Sequence, residues 1–180
     1  MDFNIRKAAI EDKPAIEKLI AGSVRGLSSD DYNEQQIELS IRTVFGVDIQ
    51  LIADQTYFVV ETREGTLAGC GGWSKRRTLY GASVYEHSRD PELLDPAADA
   101  AKIRAFFVHP DFARRGIGTL ILNTCEHEAR AHGFRRAEMM ATLPGVRLYA
   151  ARGYTGDEQC LVPLDENSDI ICVRMARDLL

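Results

Sequence analysis

The sequence predicts a single mixed α/β domain. Three observations carry that prediction. The hydrophobic period alternates along the chain between helical spacing and β-rich runs. The resulting order is strand, helix, helix, three strands, helix, strand, helix, two strands, which makes one mixed layer of helices and strands. At 180 residues the chain has the length of one domain, read here as 1–180. A domain of this size buries roughly 70% of its unfolded surface and needs no disulfide or metal to fold.

Residues 2–8 read as a short strand with Phe3 and Ile5 on one side. Asp12 is a helix cap with Pro14 in the first turn, Ala15, Ile16, Leu19 and Ile20 form the apolar stripe, and Gly22 or Gly26 closes the helix. A second helix is expected from Asp30 or Asp31, with Ile37, Ile41, Val44 and Phe45 on one face and Gly46 as its end. Residues 57–61 and 67–74, separated by a turn at 63–66, predict a hairpin. The stretch 86–101 is polar, holds Pro91 and Pro96 and shows no period, so it reads as a long surface loop. Residues 103–108 are strand-like. From Gly116 to His132 the residues Ile117, Leu120, Ile121, Cys125 and Ala129 share a helical face, and Gly133 follows as a C-terminal cap. A strand at 136–142, a short helix at 144–152 and a strand pair at 154–160 and 169–177 complete the chain.

Composition narrows the function. Lys and Arg number 22 against 27 Asp and Glu, a net charge of −5, which disfavours wrapping nucleic acid or coating an anionic membrane. Cys70, Cys125, Cys160 and Cys172 form no C-x-x-C pair, so they read as reduced thiols rather than a zinc site or a disulfide framework. The first residues lack an apolar signal segment, and no stretch approaches 18 apolar residues. The expectation is a cytoplasmic protein with no membrane and no nucleic-acid partner.

Chemistry concentrates at Val108-His109-Pro110-Asp111-Phe112-Ala113-Arg114-Arg115-Gly116-Ile117-Gly118-Thr119. A strand ends, the chain turns, and a helix starts among glycines and arginines. The first amides of a helix have no internal partner and that end is positive. Gly116 and Gly118 leave the backbone bare to an approaching anion. No Gly-Lys-Ser/Thr is present, and position 121 is Ile where a dinucleotide fingerprint needs glycine. A pyrophosphate-bearing ligand of another kind fits; a solvated basic helix start is the plainer alternative.

A second segment is Leu148-Tyr149-Ala150-Ala151-Arg152-Gly153-Tyr154. Together the two segments resemble the Gcn5-related N-acetyltransferase (GNAT) family. The family's Gln/Arg-x-x-Gly-x-Gly/Ala motif is matched by 113–118, with Ala113 at the first place. Its later Tyr-x-x-x-Gly-Phe/Tyr motif is matched by Tyr149 to Tyr154. Thr142 stands where many members carry Asn.

The resemblance implies a mostly antiparallel sheet in which two parallel strands, 103–108 and 136–142, splay apart to admit acetyl-CoA. It implies backbone contacts to the cofactor from Phe106, Phe107 and Val108, and a pyrophosphate site at Arg114, Arg115, Gly116, Ile117, Gly118 and Thr119, with Thr142 and Tyr149 beside the reacting end. Tyr149 is the implied proton donor to the leaving sulfur. The implied activity is direct acetyl transfer from acetyl-CoA to a primary amine of a small molecule or peptide through a ternary complex, without metal. A second copy of the chain is admitted as a partner. The alternative is a CoA-binding protein of the same fold without catalysis. Glu61, Asp99 and His109 are base candidates by residue type only. Trp73, Ser74, Arg76, Arg77 and Tyr80, with the loops at 23–32 and 161–168, are the expected acceptor side. No spacing of His87, His127 and His132 suits a metal.

Overall fold

The structure is a computed structural model that describes residues 3–179; Asp2, where the first strand was expected to begin, lies outside them. Seven strands form one sheet: β1 (Asn4–Lys7), β2 (Tyr57–Glu61), β3 (Leu67–Ser74), β4 (Ala101–Val108), β5 (Arg136–Thr142), β6 (Thr155–Pro163) and β7 (Asp169–Asp178). Their order is β1-β2-β3-β4-β5-β7-β6. Every neighbouring pair is antiparallel except β4–β5. The helices are α1 (Lys13–Leu27), α2 (Glu34–Thr43), α3 (Ile49–Ala53), α4 (Ile117–Ala131) and α5 (Leu143–Ala151). The expected mixed sheet flanked by helices is the observed fold.

Alternation along the strands divides the core in two. Phe58, Val60 and Trp73 pack with Ile117, Ile121, Leu122 and Cys125 of α4. Tyr57, Val59 and Cys70 pack with Ile16, Leu19 and Ile20 of α1 and Leu51 and Ile52 of α3. Each such buried side chain contributes roughly 1.5–3 kcal/mol.

Several boundaries differ from the sequence reading, each for a local reason. Helix α1 runs through Gly22 and Gly26 to Leu27, because Pro110 packs against Gly26 where a stop was expected. Helix α2 is capped by Asn33, not Asp30 or Asp31. The Asn33 side chain accepts from the Gln36 amide at 2.9 Å, and the Gln36 side chain accepts from the Asn33 amide at 3.0 Å. Helix α3, started by Asp48, is five residues long and too short to show a period. The segment 75–100 is a loop with one short turn of 3₁₀ helix at Glu86–Ser88.

Strand β4 starts at Ala101, before the apolar run, because its first residues form the parallel rungs. These rungs are Ala101↔Ala137 and Lys102↔Glu138, and the pairing stops there. Beyond them β5 pairs with β7 alone along its length. On β4, Ala105 takes a left-handed φ of 56°. The register with β3 jumps from Gly72↔Arg104 to Cys70↔Phe107, which leaves Ala105 and Phe106 together opposite Gly71. This bulge bends β4 as it leaves β5.

Charge closes the paired end. The Glu138 side chain, buried, is bound by Lys102 and by Arg174, whose Nη2 and Nε donate at 2.7 and 3.0 Å. Burial pushes the Glu138 carboxyl up, but the hydrogen bonds from Lys102 and Arg174 overcome this and hold it below its ordinary value. A depressed carboxyl contributes stability above its unfolded value, about pH 4.3, which is lost as pH falls through the folded value. Glu138→Gln is expected to cost about 3 kcal/mol near neutral pH, the scale of breaking a buried ion pair. Urea midpoints at pH 7 and pH 3 check it: the wild type loses stability between them as the carboxyl is protonated, and the variant loses less.

Candidate active site

The divergence of β4 and β5 opens a narrow cleft of about 80 Å³. Residues 103–107 of β4 form one wall and Met139, Met140 and Thr142 of β5 another, with Tyr149 between them. The outer wall comes from 44–46, from 79–82 in the long loop, and from Val162, Ile170 and Cys172 at the β6–β7 hairpin. The lining is apolar and aromatic, and its one formally charged side chain is Arg104.

The chain leaves β4 through a 3₁₀ turn, Pro110–Phe112, and enters α4. Arg114 and Gly116 both have left-handed backbones, with φ of 64° and 83°. The curl around Arg115 turns successive amides towards one side, as in an anion-binding nest. No side chain caps α4, whose first intrahelical bond runs from the Leu120 amide to the Gly116 carbonyl at 2.9 Å. The amides of Ile117, Gly118 and Thr119 are the donors that a helix start leaves for an anion. Arg114, Arg115 and Gly116 are exposed. The Arg115 guanidinium stands 5.6 Å from the centre of the Phe112 ring. Ile117 contributes only backbone here, since its side chain is buried in the core.

On β4 the side chains of Phe106 and Phe107 take opposite faces. Phe106 meets Tyr149, ring centres 6.1 Å apart, and Phe107 meets Phe45 at 5.6 Å. The Val108 amide donates to Ser23 Oγ of α1 at 3.1 Å. The neighbouring His109 amide donates to the Ala68 carbonyl of β3 at 2.9 Å. Amides of adjacent strand residues point to opposite edges, so Val108 faces away from β3, into the gap. Tyr149 is buried, and burial pushes its hydroxyl far above the ordinary phenol value, with the nearby Cys125 thiol adding to the shift. It is neutral and protonated at physiological pH.

Residues 22–154 match the acetyltransferase (GNAT) family, which is most of the chain. The chain belongs to the GNAT family. Solved structures agree on the fold. A GCN5-related N-acetyltransferase from Rhodopseudomonas palustris superposes with a TM-score of 0.71 at 20% identity, covering 99% of this chain and 96% of that one. PaiA N-acetyltransferase from Thermoplasma acidophilum, solved with coenzyme A, gives 0.66 at 16% identity, with 99% of each chain covered. YncA from Salmonella typhimurium, solved with its cofactor acetyl-CoA, gives 0.62 at 18% identity, covering 99% and 95%.

In this GNAT chain the cleft gathers Phe106, Phe107, Thr142 and Tyr149, while 114–119 lie past the end of β4. The acceptor side differs from the sequence reading. Of the five residues proposed after β3, only Tyr80 lines the cleft. Trp73 is core and donates to Glu128 at 3.2 Å, Arg76 is held by Asp54 at 2.7 Å, and Arg77 pairs with Glu92 at 3.4 Å. Ser74 Oγ accepts from the Arg76 amide. Residues 23–27 belong to α1 and 161–163 to β6, so the expected loops are shorter, 28–33 and 164–168.

None of the three base candidates reaches the cleft. Glu61 binds Arg6, Asp99 accepts from the Asp95 amide, and His109 Nδ1 accepts from the Asp111 amide. Burial raises the Cys70 and Cys172 thiols to about 12 and pushes Cys125 up as well, so these three are poor nucleophiles. No cluster that could hold a metal occurs among the described residues. Among the same residues, no helix is long and apolar enough to cross a membrane. Sequence reasoning missed Arg104, which looks like an ordinary interior residue of a strand, and it placed Ser23 in an acceptor loop where the structure puts it on α1, against the Val108 amide.

Gly118 has a second job besides leaving its backbone bare. A Cβ built there falls 2.8 Å from Leu148 Cδ2, so the residue sets the approach of α4 to α5. Gly118→Val is expected to destabilise by about 1–3 kcal/mol through overpacking. Urea denaturation of Gly118→Val, Leu148→Ala and the double variant checks it: the double variant recovers part of the loss expected from adding the two.

Proposed function

We propose that this chain binds acetyl-CoA across the β4–β5 gap and passes the acetyl group directly to a primary amine of a small molecule. The observation that carries the reading is the adjacency of two features. An unpaired strand edge on β4 runs straight into an uncapped helix start flanked by two arginines. An extended amide-bearing arm ending in a pyrophosphate has the polarity and the length order to lie along both. Residues 114–119 take the pyrophosphate through the amides of Ile117, Gly118 and Thr119 and the charge of Arg114 and Arg115. Val108 and the bulged stretch at Phe106 supply backbone to the arm, whereas the Phe107 backbone, expected to do the same, faces β3; Ser23, already on the Val108 amide, shares in this edge.

The cofactor supplies an activated acetyl thioester when bound. An amide of the bulged stretch around Phe106 polarises its carbonyl as the amine nitrogen attacks. A new C–N bond forms, the C–S bond breaks, and the sulfur takes its proton from the Tyr149 hydroxyl. The amine proton leaves to solvent, and Tyr149 is reprotonated from the same source. Burial keeps the hydroxyl protonated and weakens it as an acid, so what supports the role is its position in the cleft between β4 and β5. Thr142, at the end of β5 and lining the cleft, borders the same spot.

Thiol release from acetyl-CoA tests the reading. Release that requires a primary amine is the expected result. CoA binding by calorimetry without amine-dependent release points instead to a binding protein that does not catalyse. Tyr149→Phe is expected to lower kcat by about 10–100-fold, the low end for a general acid because a CoA thiolate leaves tolerably unaided. CoA affinity should change by less than about 1 kcal/mol. Wild-type kinetics for a folded Tyr149→Phe enzyme across pH 6–9 remove Tyr149 from the mechanism.

A further inference from the structure

Arg104 lines the cleft from the bend of β4 and is 4% exposed. Its Nη1 donates to Asp48 Oδ2 at 2.7 Å, and its Nη2 donates to the Gly81 carbonyl. Its Nε–H has no acceptor among the described residues. Asp48 is fully buried and does not belong to Arg104 alone. Arg89 grips both of its oxygens, at 3.0 Å each. Asp48 also accepts from the Gln50 amide at 3.0 Å. Two guanidiniums therefore share one carboxylate; the Arg89 side chain keeps a quarter of its surface in water, so the guanidinium that is both buried and short of an anion is Arg104.

An uncompensated charge away from water is costly, and proteins retain one where something neutralises it. The cleft lining holds no Asp and no Glu. It thus offers no side-chain anion to grip a polycation. Around Arg104 the walls are Phe45, Tyr80, Met140, Val162 and Ile170, which suit an apolar body.

We infer that the acceptor bears a carboxylate beside an apolar body, as an apolar amino acid does, and that Arg104 selects it. The inference rests on the acetyltransferase reading above and narrows its substrate class. One carboxylate matches one excess charge, and a guanidinium is the side chain best shaped to meet it. Arg89 and Asp48 hold Arg104 in place, so the selectivity is built into the scaffold.

The test compares acids with their uncharged amides. N-acetyl-phenylalanine, N-acetyl-leucine and N-acetyl-methionine are titrated into the CoA-loaded protein by calorimetry, each against its primary amide. Phenylalanine, leucine and methionine are then assayed as acceptors against the same amides. For at least one side chain the acid is expected to bind, and its parent to react by kcat/KM, about 10–100-fold better, the range of a charge-assisted hydrogen bond. Arg104→Gln should bring that ratio close to one, and Arg104→Lys should keep part of it. Parity of acid and amide for every side chain in the wild type overturns the inference, as does a preference that survives Arg104→Gln. The wild-type comparison decides alone if a variant does not fold. Acetylation of amides as readily as acids sinks this inference and leaves the transferase reading standing. Absence of acetylation of any amine sinks the transferase reading, and this inference with it.

Discussion

The sheet abandons its one parallel ladder after two rungs, and the rest of the molecule is organised around that interruption. Backbone amides and carbonyls inside a protein need partners. A strand that leaves its neighbour must turn those groups towards something else. Here β4 keeps β3 on one side, through a bulge at Ala105 and Phe106, and keeps nothing of β5 beyond Lys102. The Ser23 hydroxyl meets one of the freed amides, on Val108. The Tyr57 hydroxyl meets one carbonyl, on Ala105, at 3.1 Å. Helix and strand side chains thus stand in part for a missing strand, and the space between remains as the cleft.

The interruption has a hinge side and an open side. Lys102, Glu138 and Arg174 lock the hinge across three strands. At the open side, Tyr32 ties the two flanking elements, donating to the Ile171 carbonyl of β7 at 2.7 Å and accepting from the Leu143 amide of α5 at 2.9 Å. The position of α5 fixes Tyr149 over the gap, and the contact between Gly118 and Leu148 fixes α4 against α5. A few polar ties on a conventional two-layer core are enough to set the geometry.

Much of this was legible in the sequence because the elements are strongly patterned. Strands β2, β3 and β5 fall on their expected bounds, since β-rich runs bordered by turn residues leave little choice. The helix start at Gly116 was legible because positive φ and bare backbone are properties that glycine advertises. What could not be read was set by distant partners. Arg104 reads as one polar residue in an apolar run, and nothing in the sequence ties it to Asp48, across 56 positions and in a different element. Gly26 read as a helix stop because the local signal is the same whether a glycine ends a helix or admits a proline from elsewhere. The acceptor wall was misplaced for a similar reason. Its residues come from loop 75–100 and the β6–β7 hairpin, which lack periodicity or change it.

The long loop between β3 and β4 has one more implication. It supplies 79–82 to the cleft yet is stapled at its flanks, by Arg76 on Asp54, by Thr78 and Asp90 on each other, and by Arg89 on Asp48. The exposed part of its tip, at Val84, can therefore be rewritten with little disturbance to the sheet, whereas Tyr85 is buried and donates to the Pro163 carbonyl of β6. The turn at 114–116 and Tyr149, by contrast, sit on elements that share the core. Heritable change in what enters the outer half of the cleft is thus mechanically uncoupled from change in the strand gap. A lineage carrying this architecture can explore new small molecules while its donor half stays constant.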